Sequence, residues 1–150
     1  MSSLLDRVVI PVAGPEDAAN TYESFRPQVV DPDGTVDTDV EIHVVYVVKK
    51  AGGAPDKAGV EQREEHARDA FDRIGMLAGA DGLEIDSEIR YSTDVADAII
   101  EYAGEVDASA IAFTSRGTGK WLNLITGGVR SSLLLNADRP VVVLPTDMEE

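Results

Sequence analysis

Ala108-Ser109-Ala110-Ile111-Ala112-Phe113-Thr114 is a run of small and apolar residues that ends at a glycine-rich loop. Gly127-Gly128 then opens a segment with Val129, Ser132, Leu133 and Leu135 at helical spacing, ending near Asn136. After Pro140 comes Val141-Val142-Val143-Leu144, a second continuous apolar run. Two such runs joined through a helix predict parallel strands, because parallel neighbours need a crossover and are covered on both faces.

The same pattern extends towards the N-terminus. Val8-Val9-Ile10-Pro11-Val12 reads as a first strand and residues 40–48 as a second, nearly continuous in valine. Residues 83–91 read as a third, with Ile85, Ser87, Ile89 and Tyr91 alternating against polar neighbours. Residues 108–114 and 140–144 are the fourth and fifth. Helical spacing appears between them. Residues 16–25 carry Ala18, Tyr22 and Phe25, and Pro27 limits that helix. Residues 60–78 carry Ala67, Ala70, Phe71, Ile74 and Leu77, and residues 94–106 carry Val95, Ala98, Ile99 and Tyr102 behind an N-cap at Asp94. Residues 31–39 and 49–58 read as surface loops. The order β-α-β-α-β-α-β-α-β predicts an α/β domain with a doubly wound five-stranded parallel sheet, a single domain over residues 1–150.

Composition narrows the function classes. The chain has 28 acidic and 13 basic residues and a formal net charge of −15, a field that opposes nucleic-acid binding. Only Lys49, Lys50, Lys57 and Lys120 are lysines. An acidic, lysine-poor surface resembles that of halophilic proteins, and it also fits an ordinary acidic protein. Cysteine is absent, which removes disulfides and thiolate chemistry. No basic, long apolar leader opens the chain, and no apolar run approaches the roughly 20 residues that span a bilayer. A cytoplasmic protein with no membrane partner is expected.

In open α/β sheets ligands bind beyond the carboxyl ends of the strands, where strand order reverses. The candidate positions are Ala13-Gly14 after strand one and Thr114-Ser115-Arg116-Gly117-Thr118-Gly119-Lys120 after strand four. Gly127-Gly128 opens a helix, whose free N–H groups and dipole suit a phosphate. Arg116, Lys120 and Arg130 supply cations, and Ser131 and Ser132 supply hydroxyls. The same glycines are equally compatible with plain turns and a helix start.

Better-known devices fail on single residues. A Walker A loop ending at Gly119-Lys120 needs Gly at 114 and Ser or Thr at 121, where Thr114 and Trp121 stand. The G-x-G-x-x-G pattern starting at Gly117 fails at Leu122. His43, inside a strand, and His66, on a charged helix, share no ligand spacing and read as structural or solvated. Glu61, Glu64, Glu65 and Asp69 read as one solvated helix face. No catalytic or metal constellation emerges, and an enzyme is not expected.

The residues Ala96 to Ala108, Ser115-Arg116-Gly117, Gly127-Gly128-Val129 and Asn136 to Pro145 together resemble the universal stress protein family. Val8 to Gly14 and Val44 to Val48 are similar to that family's first two strands, whereas residues 15–39 match it poorly. The resemblance implies an adenine nucleotide alpha hydrolase-like fold with strand order 3-2-1-4-5. It also implies a homodimer joined through the fifth strand at Val141, Val142 and Val143, which would cover an apolar edge. ATP-binding members carry Gly-x-x-Gly, nine residues, then Gly-Ser or Gly-Thr. Gly117 and Gly127 match, while Thr114 and Gly128 replace the first glycine and the hydroxyl residue. Those members end strand one with a ribose-holding Asp, where Ala13 stands here.

The resemblance therefore implies a weak nucleotide site at Pro11, Val12, Ala13, Val47, Thr114, Arg116, Gly117, Gly127, Gly128, Val129 and Ser131. Val47 would act through its backbone. Mg²⁺ would arrive with ATP, and hydrolysis would be slow or absent. The alternative is a member that has lost nucleotide binding and acts as a dimeric interaction module. An α/β enzyme with a small substrate of its own is the weakest reading.

Overall fold

A computed structural model describes residues 5–49, 57–114 and 127–144. The elements are β1 (Arg7–Pro11), α1 (Pro15–Phe25), β2 (Glu41–Lys49), α2 (Lys57–Ala80), β3 (Ile85–Ser92), α3 (Val95–Glu105), β4 (Ala110–Thr114), α4 (Gly127–Asn136) and β5 (Val141–Leu144). All strand pairs are parallel and the order is β3-β2-β1-β4-β5. This is the doubly wound sheet that the alternation of elements predicts. Strand order reverses between β1, which continues to β2 on one side, and its other neighbour β4.

Strand alternation divides the core into two faces. Val8 and Ile10 of β1, with Ile42, Val44, Tyr46 and Val48 of β2, pack with Ala18, Tyr22 and Phe25 of α1 and Ala67, Ala70 and Ile74 of α2. Val9, Val45, Val47, Ile111 and Phe113 face the other way, onto Val95, Ile99 and Tyr102 of α3 and Leu133 of α4. Both faces of the central strands are thus buried, which is why their sequence is β-branched without interruption.

Element ends differ from the periodicity by one to three residues, for identifiable reasons. Leu83 does not start β3, because its N–H closes the end of α2 on Ala78 O at 2.9 Å, across the Asp81-Gly82 turn where Gly82 has φ 80°. Ala108 does not start β4, because its N–H bonds Ala103 O at 2.9 Å and finishes α3. Asp94 caps α3 by accepting the Asp97 N–H at 3.0 Å. The 31–39 segment is tied more closely than its polar composition suggests. Val30 and Val36 form an isolated antiparallel bridge around a turn with Gly34 at φ 90°.

Candidate site at the carboxyl ends of β1 and β2

β1 runs out at Pro11, and Val12 continues its pairing by donating to Val45 O at 2.9 Å. Val12 and Ala13 are buried, and Gly14 is the N-cap of α1 with Pro15 at its first position. The Gly14 φ of 165° is extended backbone, so conformation does not demand glycine there. Space does. A Cβ on Gly14 would stand 2.6 Å from Nε2 of His66, which reaches over from α2.

His66 is itself exposed, and its ring meets the buried Tyr46 ring edge-on at 6.1 Å. One turn before it, Arg63 Nη1 donates to Lys49 O at 3.1 Å, fastening α2 over the carboxyl end of β2. An open cavity of about 390 Å³ lies beside this helix face, lined by Gln62, Arg63, Glu65, His66 and Asp69. A larger groove of about 480 Å³ lies between the C-terminal ends of α1 and α2, lined by Tyr22, Pro27 and Leu77 among others. That groove sits at the opposite end of the sheet, where β3 begins. His43 lies at neither place. It is largely covered on β2, with Nε2 3.4 Å from Glu41 and Nδ1 3.8 Å from Asp86.

Asp17 is the only buried carboxylate among the described residues. It occupies the first turn of α1, and its Oδ2 accepts the Ala13 N–H at 2.9 Å. Burial raises its carboxyl to about 6, and the backbone donor only partly opposes that rise. Composition and motif spacing do not set Asp17 apart in a chain with 28 acidic residues. The available signal was its place three residues after the N-cap, where an acidic side chain reaches back to a free N–H.

The expected site residues are partly brought together. The side chains of Ala13 and Val47 belong to one apolar cluster on the α3 and α4 face, and Val129 of α4 packs against it. Val12 turns to the other face, and Pro11 pairs in register with Val45. Thr114 is buried at the end of β4, opposite Leu144. Gly127 opens α4, with Gly128 and Ser131 exposed. Arg116 and Gly117 lie outside the described residues, as does Lys120. Among the described residues no group of three or more acidic or histidine side chains is placed to hold a metal. No described helix is long and apolar enough to cross a membrane.

Known structures share this architecture. A universal stress protein family member from Burkholderia pseudomallei superposes with a TM-score of 0.69 at 20% identity, covering 97% of this chain and 100% of that one. The universal stress protein from Archaeoglobus fulgidus in complex with dAMP gives 0.61 at 23% identity, over 92% and 96% of the two chains. A universal stress protein in complex with cAMP gives 0.61 at 16% identity, over 97% and 100%. Such identities establish the common fold, the adenine nucleotide alpha hydrolase-like one. No curated protein matches the sequence significantly. The model of the universal stress protein family matches residues 5–145. With that match spanning nearly the whole chain, and the 3-2-1-4-5 parallel sheet beneath it, the chain belongs to the universal stress protein family.

Proposed function

We propose that this protein is a cytoplasmic stress-response protein of one domain that binds a nucleotide, ATP with its Mg²⁺, and acts through binding rather than turnover. The carrying observation is that Ala13 follows β1 and Val47 lies near the carboxyl end of β2 on the sheet face that also packs Val129, with α4 opening at Gly127-Gly128. An adenine ring suits such an apolar wall, and the first N–H groups of α4 suit phosphates. Relatives of the same fold hold dAMP and cAMP. The Ala13 side chain offers no acceptor to a sugar hydroxyl and Gly128 no hydroxyl to a phosphate, so weak binding is expected. Hydrolysis is expected to be slow or absent. Calorimetric titration with Mg-ATP tests this reading. Saturable binding between micromolar and low millimolar ATP supports it, and no heat at several millimolar refutes it.

A homodimer through β5 is favoured by the contrast between the two sheet edges. The outer edge at β3 carries Asp86, Glu88 and Arg90, and its exposed Tyr91 is engaged through its hydroxyl by Glu64. At the β5 edge Val143 is 43% exposed, and the neighbouring α4 exposes Leu134 at 57% and Leu135 at 82%. Apolar surface on an unpaired edge strand is covered most simply by a second copy. If nucleotide binding has been lost, this edge is where a role as an interaction module would reside.

A further inference from the structure

The groove of about 480 Å³ between the C-terminal ends of α1 and α2 lies at the far end of the sheet from Ala13 and Val47. Its volume falls among those of small-molecule sites, about 300–1,000 Å³. Pro27, Leu77 and Ala80 give it an apolar lining. Met76, 74% exposed, shares a helix face with Ala80 one turn away.

The charges around this lining do not balance. Asp81 is engaged, accepting from the Tyr22 hydroxyl at 2.7 Å and from Arg26 at 2.8 and 3.0 Å. That pair uses up the cation of Arg26. Glu23 stands exposed on the groove, and no basic side chain among the described residues pairs with it. α1 and α2 both end here, and a helix C-terminus carries about half a negative charge. Neither helix has a basic residue in its last turn. An apolar wall therefore adjoins a surplus of negative charge.

That combination complements a cation carried on an apolar body. We propose that the groove is a second binding site, for a small organic amine: its ammonium group meets Glu23 and its aromatic or alkyl body lies along Pro27, Leu77 and Ala80. An anion of the same shape is opposed by Glu23 and by both helix ends. A small cation without the body gains nothing from the apolar lining. The site is independent of the nucleotide reading, and neither stands or falls with the other.

The test is proton–nitrogen NMR titration of the full chain with four probes: phenethylamine, phenylacetate, ethylamine and acetyl-Phe-Lys-amide. Phenethylamine is expected to saturate in the millimolar range, with its shifts gathered on Glu23, Arg26, Leu77 and Ala80. Phenylacetate, with the charge reversed, is expected to bind about fivefold weaker or less, and ethylamine not to saturate. Glu23→Gln, an exposed change, is expected to weaken phenethylamine about threefold. Ala80→Phe, which fills the groove, is expected to abolish its binding. Should Ala80→Phe fail to fold, intermolecular NOEs from the phenyl ring to the Leu77 methyls in the wild type decide, and their absence at saturation overturns the proposal. Equal affinity for phenethylamine and phenylacetate overturns it. So do shifts spread evenly over the acidic surface, which mark general attraction of cations to a chain of net charge −15. Saturation by the peptide but not by phenethylamine assigns the groove to a protein partner and overturns the small-amine proposal.

Discussion

The imidazole of His66 lies directly on Gly14, so close that a Cβ there would fall 2.6 Å from Nε2. This contact joins α2 to the β1–α1 turn and makes residue 14 a glycine for steric reasons. Gly14→Ala is expected to push the ring away from Tyr46 and to cost about 1 kcal/mol, the order of an edge-on ring contact. In a His66→Ala background the same substitution should cost little. Urea midpoints for the four proteins of this cycle measure the coupling. Additive effects would show that the ring does not constrain the turn.

Asp17 makes stability depend on pH in an unusual direction for a carboxylate. Its folded-state value, about 6, lies above the ordinary 3.8. The group therefore favours folding when protonated. That contribution is full below about 3.8 and is lost as pH rises through about 6. At pH 7.5, Asp17→Asn should be the more stable protein, by up to about 3 kcal/mol, and the advantage should disappear near pH 4. Denaturant unfolding at the two pH values measures it. A variant less stable than wild type at pH 7.5 would contradict the account.

Asp81 acts in the opposite sense. Its carboxylate accepts from the Tyr22 hydroxyl at 2.7 Å and from Arg26 at 2.8 and 3.0 Å, which hold it below the usual range, Arg26 first. Its contribution is present above the unfolded value and fades as pH falls through the folded one. Asp81→Ala leaves the Tyr22 hydroxyl, on an otherwise buried ring, without its acceptor, and is expected to cost about 1–2 kcal/mol at pH 7. Thermal unfolding of Asp81→Ala in the Tyr22→Phe background checks the origin, since the cost should there be much smaller.

The β5 edge gives a prediction about assembly. Val143→Lys places a charge on the exposed apolar edge and is expected to convert a dimer to a monomer without loss of helicity. Light scattering after size exclusion reads the mass. A wild type that is monomeric at all concentrations would remove the dimer proposal.

The sheet was legible because its strands are buried on both faces, leaving runs such as Val44 to Val48 with no polar interruption. The helix ends were less so. Leu83 and Ala108 look like strand residues, but their N–H groups are spent closing α2 and α3 through bonds with no apolar signature. Val36 carries no strand signal, because a single bridge to Val30 leaves no periodicity. Ala13, Val47 and Val129 fall on one face of the sheet because of strand parity and the position of α4. Asp17 and His66 were invisible in that role. Each acts on the β1–α1 turn across local geometry, one reaching back four residues and the other crossing from α2.

The most direct test of nucleotide binding at the end of β1 is a paired calorimetric titration of the wild type and Ala13→Asp with Mg-ATP. On the proposed nucleotide reading, the new carboxylate would offer a sugar hydroxyl the side-chain acceptor that Ala13 lacks. If the site is where Ala13, Val47 and Val129 converge, the variant should bind about tenfold tighter or better, the worth of one charged hydrogen bond. An Ala13→Asp protein that folds but binds no better than the wild type would contradict the account.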